Sequence, residues 1–158
     1  MGILNETVKK EKIKYFSDDP TCACKVSEDY LGDKWIFILV RDLFRKRYTF
    51  SQFMNESDEK IATNILTDRL KKLLKIEVIG YRLSKENKKI KEYYLTDRGI
   101  ELYDIIFQLQ YWTLANVAFN FSENTKDWKA LTENTSREEI ISSFKNNYRA
   151  FRLEKFGF

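Results

Sequence analysis

The stretch from Lys60 to Leu74, KIATNILTDRLKKLL, brings short polar side chains together at a helical spacing. At about 100° per residue its isoleucines and leucines fall on one side, and Thr63, Asn64 and Thr67 fall on the other. Such side chains are short enough to enter the major groove of DNA, where Asn pairs with adenine and a Thr methyl contacts a thymine methyl. The pattern therefore predicts a DNA-reading face. An ordinary solvent-exposed face is the alternative.

Basic and helix-initiating residues around this face suit the phosphate backbone. Some lysines flank the helix, and others occupy the turn SKENKK further along the chain, where they could instead keep an exposed hairpin from pairing with a neighbour. Two further candidates begin predicted helices, whose N-terminal N–H groups bind phosphates. The predicted DNA-binding residues are Lys34, Thr49, Lys60, Thr63, Asn64, Thr67, Lys71, Lys85, Lys88 and Lys89.

The distribution of charge agrees with this prediction. The segment from Lys34 to Lys91 holds 15 Lys or Arg against 7 Asp or Glu, a net charge of +8, although the whole chain of 158 residues carries only +4. A basic middle with an acidic remainder is typical of a nucleic-acid-binding segment. A solvated surface produces such asymmetry too, so the charge supports the assignment without deciding it.

The chain lacks the residues of most catalytic and metal sites. It has no histidine, its two cysteines are Cys22 and Cys24, and it has no glycine-rich phosphate-binding motif. We therefore expect neither an enzyme nor a cofactor. No apolar run is long enough to span a membrane, and the N-terminus MGILNETVKKEKIKYF is too polar for a signal peptide. We expect a cytoplasmic protein.

Periodicity and capping signals predict the elements that position these residues. After a loose arm able to become helical, one helix is predicted to begin near Lys25 and a second after Asp33, which acts as its N-cap. A third begins at a capping box formed by Thr49 and Gln52, and a fourth begins at residue 62. A hairpin over 78–83 and 90–95 follows, with Ile79, Tyr81 and Leu83 expected to face the core.

Thr96 then caps a predicted long helix over 97–119, which has more apolar surface than a small domain can bury. Part of that surface should meet another subunit or the tail, where two weaker helical patterns lie near 125–131 and 136–151. The predicted fold is mainly α with a small β-hairpin (α+β), a winged helix-turn-helix with a long C-terminal dimerisation helix. The predicted domains are an arm (1–21), the DNA-binding domain (22–96), the dimerisation helix (97–121) and a helical extension (122–158).

The ordered motifs resemble the HxlR-type bacterial regulators, relatives of the MarR winged-helix proteins. They are Cys22, GDKW at 32–35, ILVRDL at 38–43, TFSQF at 49–53, LTDRLKKL at 66–73, EYYLTDRG at 92–99 and Trp112. The resemblance implies a homodimeric transcriptional regulator that binds pseudo-palindromic double-stranded DNA, with dimer contacts through the arm and the long helix. Ala62 stands where the family usually has a capping Ser, with Thr63 as the substitute cap, and Glu77 stands where it usually has Gly.

Two further expectations concern single residues. In some relatives a cysteine at the position of Cys22 senses oxidants or electrophiles, which makes Cys22 a candidate redox sensor; a small, inert cysteine is the alternative. Arg69 projects toward the apolar side of its helix, so we expect it to be partly buried and paired.

Two rival functions remain open at this stage. Winged helices also serve as protein-interaction modules, which expose aromatic residues or Leu on the binding face. The chain could instead be a small-ligand-binding protein that uses its aromatic-rich long helix and tail and does not read DNA specifically. Such a site could also coexist with DNA binding, as the site of a small-molecule effector.

Overall fold

A computed structural model describes residues 11–158, which fold into eight helices and two strands. The predicted fold class is confirmed: the chain is mainly helical, with one two-stranded antiparallel sheet. In chain order the elements are α1 (Ala23–Leu31), α2 (Lys34–Phe44), α3 (Phe50–Asn55), α4 (Thr63–Lys75), β1 (Ile79–Leu83), β2 (Lys91–Leu95), α5 (Asp97–Glu101), α6 (Tyr103–Asn116), α7 (Glu123–Asn134) and α8 (Arg137–Phe156).

Helix α2 runs through the middle of the core. Its N-cap is Asp33, whose carboxylate accepts a hydrogen bond of 2.9 Å from the backbone N–H of Trp35. Ile36, Leu39 and Val40 of this helix are almost completely buried, as expected for a helix that is apolar around most of its girth.

Helices α3 and α4 form the helix-turn-helix. Thr49 and Gln52 form the predicted capping box at the start of α3. At α4 the expectation that Thr63 serves as cap is wrong: Ala62 has the extended conformation of an N-cap residue, makes no side-chain capping bond, and leaves Thr63 as the first helical residue. The helix is stabilised instead through Leu66 and the other leucines of its inner face, which are buried in the core.

The chain leaves α4 through a residue in the left-handed conformation. Glu77 has φ 56°, the region that glycine adopts most readily, so this exit forms without the glycine that the family usually has there. The N–H of Glu77 donates to Leu74, the N–H of Val78 donates to Leu73, and the Glu77 carboxylate pairs with Arg98 at 2.7 Å. These contacts hold the exit in place.

Strands β1 and β2 pair from Ile79 opposite Leu95 to Leu83 opposite Lys91. Ile79 is buried as predicted, but the expectation that Tyr81 and Leu83 face the core is wrong, because these side chains are 43% and 50% exposed. On this face of β1 the core covers the side chain at the base of the hairpin but does not reach Tyr81 and Leu83.

In place of the single helix predicted over 97–119, the structure has two shorter helices, α5 and α6. The chain tightens at Leu102, whose N–H donates to the carbonyl of Gly99, and α6 ends at Asn116 because Val117 is extended. Residues 117–122 then carry the chain to α7, where the Trp128 ring lies 5.1 Å from the ring of Phe107 on α6.

Both helices predicted in the tail are present, and they complete the core. Tyr148 of α8 accepts a hydrogen bond of 2.8 Å from the N–H of Leu95, and Arg152 donates to the Leu95 carbonyl at 3.0 Å. The helical extension is therefore packed against the wing strand β2.

The N-terminal arm is described from residue 11 onward. Residues 11–22 contain no helix, whereas residues 1–10 of the predicted arm lie outside the described residues. Tyr15 donates to the carboxylate of Asp29 on α1, and Arg98 donates to the carbonyl of Glu11 at 2.5 Å. Across residues 11–158, no helix combines the length and the hydropathy needed to cross a membrane.

Candidate nucleic-acid interface

The exposed side of α4 holds the residues predicted to read DNA. Thr63, Asn64 and Thr67 are all exposed, while Leu66 and Leu70 on the opposite side are buried. The structure therefore brings the three candidates together on one outward face of a helix, which is the geometry that insertion into a major groove requires.

The hydrogen bonds of this face determine what each side chain can offer. The Thr67 hydroxyl donates to the carbonyl of Thr63 at 2.9 Å, so its proton is used within the helix and its methyl group is the part suited to contact a base. The amide of Asn64 has no hydrogen-bond partner among residues 11–158. Asn64 can thus present a donor and an acceptor together, as pairing with adenine requires.

Arg69 fixes the orientation of α4. Its guanidinium donates to Asp33 at 2.9 Å and also pairs with Asp68, so the expectation of a partly buried, paired arginine is confirmed. The hydrogen bond from Arg69 lowers the pKa of Asp33, which keeps that carboxylate charged. Because Asp33 is also the N-cap of α2, this ion pair ties α4 to the start of the central helix.

A second ion-pair network fixes the turn of the helix-turn-helix. Asp42 is completely buried on α2 and accepts hydrogen bonds from Arg41 at 2.8 Å and Arg47 at 2.9 Å. Arg41 also binds Glu59, which lies between α3 and α4, at 2.6 Å. Hydrogen bonds from Arg41 lower the pKa of Glu59 to about 2. The network therefore links the turn to the core.

Arginines and lysines of the basic segment differ in their partners. Four of its arginines are in ion pairs with carboxylates: Arg41, Arg47, Arg69 and Arg82. By contrast, the exposed lysines predicted to bind DNA have no carboxylate partner within residues 11–158; they are Lys34, Lys60, Lys71, Lys85, Lys88 and Lys89. Around α4 and on the wing, the positive charge without a carboxylate partner among these residues thus belongs to lysines.

The two candidates at helix N-termini occupy different environments. Lys34 is exposed beside Asp33, and its ammonium lies 4.5 Å from the centre of the Trp35 ring. Thr49 already uses both polar groups in capping, since its hydroxyl accepts from the Gln52 N–H at 3.2 Å and its N–H donates to the Gln52 side chain at 3.1 Å. A phosphate contact by Thr49 has to compete with these bonds.

The tip of the hairpin is an ordered loop. Ser84 is buried, and its hydroxyl accepts from the N–H of Glu86 at 3.3 Å, while the Asn87 side chain accepts from the N–H of Lys89 at 3.0 Å. Lys85, Lys88 and Lys89 are exposed around it. The wing therefore carries its three lysines on a fixed backbone.

Both cysteines are free and exposed. Cys22 is the N-cap residue of α1, and Cys24 lies in the first turn of that helix. No cluster of three or more potential metal-ligating residues occurs within the part of the chain that the structure describes.

Comparison with known proteins identifies the family. The model of the HxlR-like helix-turn-helix family matches residues 30–120, more than half of the chain. The chain belongs to the HxlR-like helix-turn-helix family. This HxlR-like protein is 31% identical over 105 residues to YdeP, an uncharacterized HTH-type transcriptional regulator of Bacillus subtilis strain 168, an alignment covering 66% of this chain and 81% of YdeP.

Solved structures place this HxlR-like protein beside other regulators. The transcription factor PA1607 superposes with a TM-score of 0.58 at 26% identity, covering 65% of this chain and 70% of PA1607. The redox regulator HypR in its oxidized form superposes with a TM-score of 0.54 at 25% identity, covering 62% of this chain and 100% of HypR. The protein is thus a transcriptional regulator of the HxlR type, a family whose members are not enzymes.

Sequence reasoning did not find the residues of α8 that hold the wing. Tyr148 and Arg152 lie outside the match to the HxlR-like family, which ends at residue 120. Their helix was recognisable from its periodicity, but no local pattern indicates which strand it packs against.

Proposed function

We propose that this protein binds DNA sequence-specifically and acts as a homodimer on a pseudo-palindromic operator. The observation that carries the proposal is the outward face of α4, where the Asn64 amide lies between exposed threonines and has no hydrogen-bond partner among residues 11–158. Lysines that pair with no carboxylate in the described part of the chain flank this face and occupy the wing, where they suit phosphate contacts. Asn64, Thr63 and Thr67 then read bases, and the lysines hold the backbone.

The apolar surface of α6 supports the dimer. Ile105, Leu109 and Trp112 are 40%, 49% and 61% exposed, and their spacing of four and three residues places them on one stripe of the helix. An exposed apolar stripe of this kind favours self-association. Two recognition helices must lie about 34–36 Å apart to enter successive major grooves on one side of DNA, and a dimer supplies that arrangement.

The composition of α4 favours DNA over a protein partner. A protein-binding face is typically rich in aromatic residues, and α4, TNILTDRLKKLLK, contains none. Its outward side is polar and compact instead, which suits a groove lined with hydrogen-bonding base edges.

Selection from a random DNA library with the purified protein tests this proposal. We expect enrichment of an inverted repeat whose half-sites lie about one helical turn apart, and a protein that sediments as a dimer. Failure to enrich any inverted repeat at moderate salt would contradict specific DNA recognition. A monomer at the concentration of binding would contradict the dimeric mechanism.

A redox response through Cys22 is the second part of the proposal. The thiol is exposed at the start of α1, next to the arm whose Tyr15 bonds Asp29 of the same helix. The similarity to HypR, a redox regulator, also supports it. We expect a quinone or peroxide to change operator affinity of the wild type and to leave Cys22→Ser unaffected. Equal responses of the two proteins, or no response of either, would remove Cys22 as sensor.

A further inference from the structure

One face of the wing sheet is covered by the last turn of α8. Strand pairing sets Arg82 of β1 opposite Glu92 of β2, and Tyr94, two residues further along β2, shares their face because side chains alternate along a strand. Phe156 of α8 packs against this face. Its ring centroid lies 5.1 Å from that of Tyr94, and the guanidinium of Arg82 lies 4.6 Å from the centre of the Phe156 ring. Both wing strands therefore contact the end of α8.

Glu92 joins this face of the wing to α8 through a buried carboxylate. The residue is 6% exposed, its Oε2 accepts a hydrogen bond of 2.9 Å from Arg82, and its Oε1 lies 3.1 Å from the ammonium of Lys155. One carboxylate thus holds β1 and the last turn of α8 at the same time. Removing either cation would leave a buried charge only partly compensated, which makes the arrangement sensitive to single substitutions.

The Glu92 carboxylate lies close to the tip of the wing. Its pair with Arg82 is the last but one of the strand register, which ends where Leu83 lies opposite Lys91. On the other face of the sheet the core does not cover Leu83, which is 50% exposed. Near the tip, the packing of the sheet therefore comes from the α8 side. The loop that follows carries the three lysines of the wing, Lys85, Lys88 and Lys89.

We propose that Glu92, held between Arg82 and Lys155, is a positioning residue for DNA binding, which fixes the wing so that its lysines meet the phosphate backbone. Lys155 and Phe156 lie beyond residue 120, where the match to the HxlR-like family ends, so the C-terminal extension supplies this support. The role in DNA binding rests on the proposed function, whereas the fixing of the wing by α8 does not.

Hydrogen exchange of the DNA-free protein tests whether Glu92 fixes the wing. The N–H of Ser84 is hydrogen-bonded across the hairpin at 2.8 Å, so its exchange reports on opening of the tip. Glu92→Gln and Lys155→Met should each speed this exchange by about tenfold or more, because each removes a charge-assisted contact. Lys155→Arg keeps the positive charge and should retain slow exchange. Lys126→Met, which removes a lysine of α7 from an exposed ion pair, is the control and should exchange like the wild type.

Operator affinity at several salt concentrations tests the role in DNA binding. Glu92→Gln makes the wing more positive, so electrostatics alone would tighten binding. We expect weaker binding instead, with the slope of log affinity against log salt reduced in magnitude by about one to three, because each lost lysine–phosphate contact lowers it by about 0.9. Glu86→Gln adds the same charge at the exposed tip and should bind at least as tightly as the wild type. Lys155→Met should weaken binding more than Lys126→Met, although both remove one positive charge.

Two outcomes would overturn the proposal, for variants that thermal unfolding shows to be folded. Exchange at Ser84 that stays at the wild-type rate in Glu92→Gln or Lys155→Met would mean that Glu92 does not fix the wing. Faster exchange in Glu92→Gln, with operator affinity and salt slope equal to those of Glu86→Gln, would remove Glu92 as a positioning residue for DNA binding. A wild type that binds no DNA would instead contradict the proposed function, and hydrogen exchange would still judge the link between Glu92 and α8.

Discussion

The outer edge of β2 offers a direct test of how the C-terminal extension supports the wing. Backbone groups of β2 that point away from β1 find partners outside the sheet: the N–H of Tyr93 donates to Tyr48 at 2.7 Å, and that of Leu95 donates to the Tyr148 hydroxyl at 2.8 Å. Arg152 donates to the Leu95 carbonyl. Helix α8 thus covers the Leu95 end of an edge that would otherwise be unpaired there.

Tyr148→Phe removes one atom from this arrangement and keeps the ring. The side chain of Tyr148 is only 2% exposed, and Leu95 is completely buried, so water cannot replace the lost acceptor. Leaving a buried N–H unsatisfied costs about 1–3 kcal/mol. For a chain of this length that corresponds to a fall in Tm of roughly 2–12 °C. Burial raises the pKa of Tyr148 to about 12, so the hydroxyl is neutral and the loss should be constant between neutral pH and pH 9.

Urea denaturation followed by circular dichroism measures this cost. Wild type and variants must be compared at one protein concentration, because the proposed dimerisation would contribute to stability. Tyr81→Phe is the matched control: Tyr81 lies on the paired strand, is exposed, and its hydroxyl has no hydrogen bond among residues 11–158. A loss for Tyr148→Phe no larger than that for Tyr81→Phe would refute the view that α8 satisfies the edge of the wing.

Two further predictions concern DNA binding and acid stability. Asn64→Ala should weaken binding to the selected operator by about 1–3 kcal/mol, whereas Lys88→Ala should weaken binding to all DNA sequences similarly and lower the salt dependence of binding. Fluorescence anisotropy at several salt concentrations measures both effects. Equal, sequence-independent losses for the two variants would contradict the distinction between base reader and phosphate anchor. Glu59 has its pKa lowered to about 2 by the hydrogen bonds from Arg41, so its contribution is complete above its ordinary pKa and is lost as pH falls toward 2. In thermal unfolding, the stability advantage of wild type over Glu59→Gln should therefore shrink as the pH falls from 6 to 3. Glu86→Gln at the exposed wing tip is the control and should show no comparable trend. An advantage over Glu59→Gln that stays constant with pH would exclude the ion pair as its source.

Local signals in the sequence predicted most of the helices and the face of α4. The Asp33 cap and the Thr49–Gln52 box are short-range arrangements, so the residues that form them also reveal them. The pairing of Arg69 was predictable for another reason: an arginine on the apolar side of a helix needs a carboxylate wherever the chain can bring one. The sequence did not indicate that Asp33, 36 residues away, would supply it.

The wrong predictions concern properties that depend on distant parts of the chain. Alternation along β1 indicates two faces, but whether Tyr81 and Leu83 are covered depends on how far the hairpin extends past α2 and α3. The end of α6 at Asn116 is set by a chain that must turn back to seat Trp128 on Phe107. From periodicity alone, the helix is predicted to continue to residue 119.

Most arginines of the basic segment form ion pairs, whereas the predicted DNA-binding lysines form none within residues 11–158, and this difference has a physical basis. A guanidinium presents five donors in a fixed plane and can bind two partners at once, as Arg41 does with Asp42 and Glu59. An ammonium on a flexible stem is a strongly hydrated point charge, suited to displacing counterions along a phosphate backbone without a fixed geometry. Arg41 and Arg69 therefore set where α4 lies, and under the proposed function lysines such as Lys71 and Lys88 supply the charge that DNA meets. On this reasoning, replacing Lys71 by arginine should leave DNA affinity nearly unchanged, whereas replacing Arg69 by lysine removes a bidentate link to Asp33 and Asp68 and shifts the reading face itself.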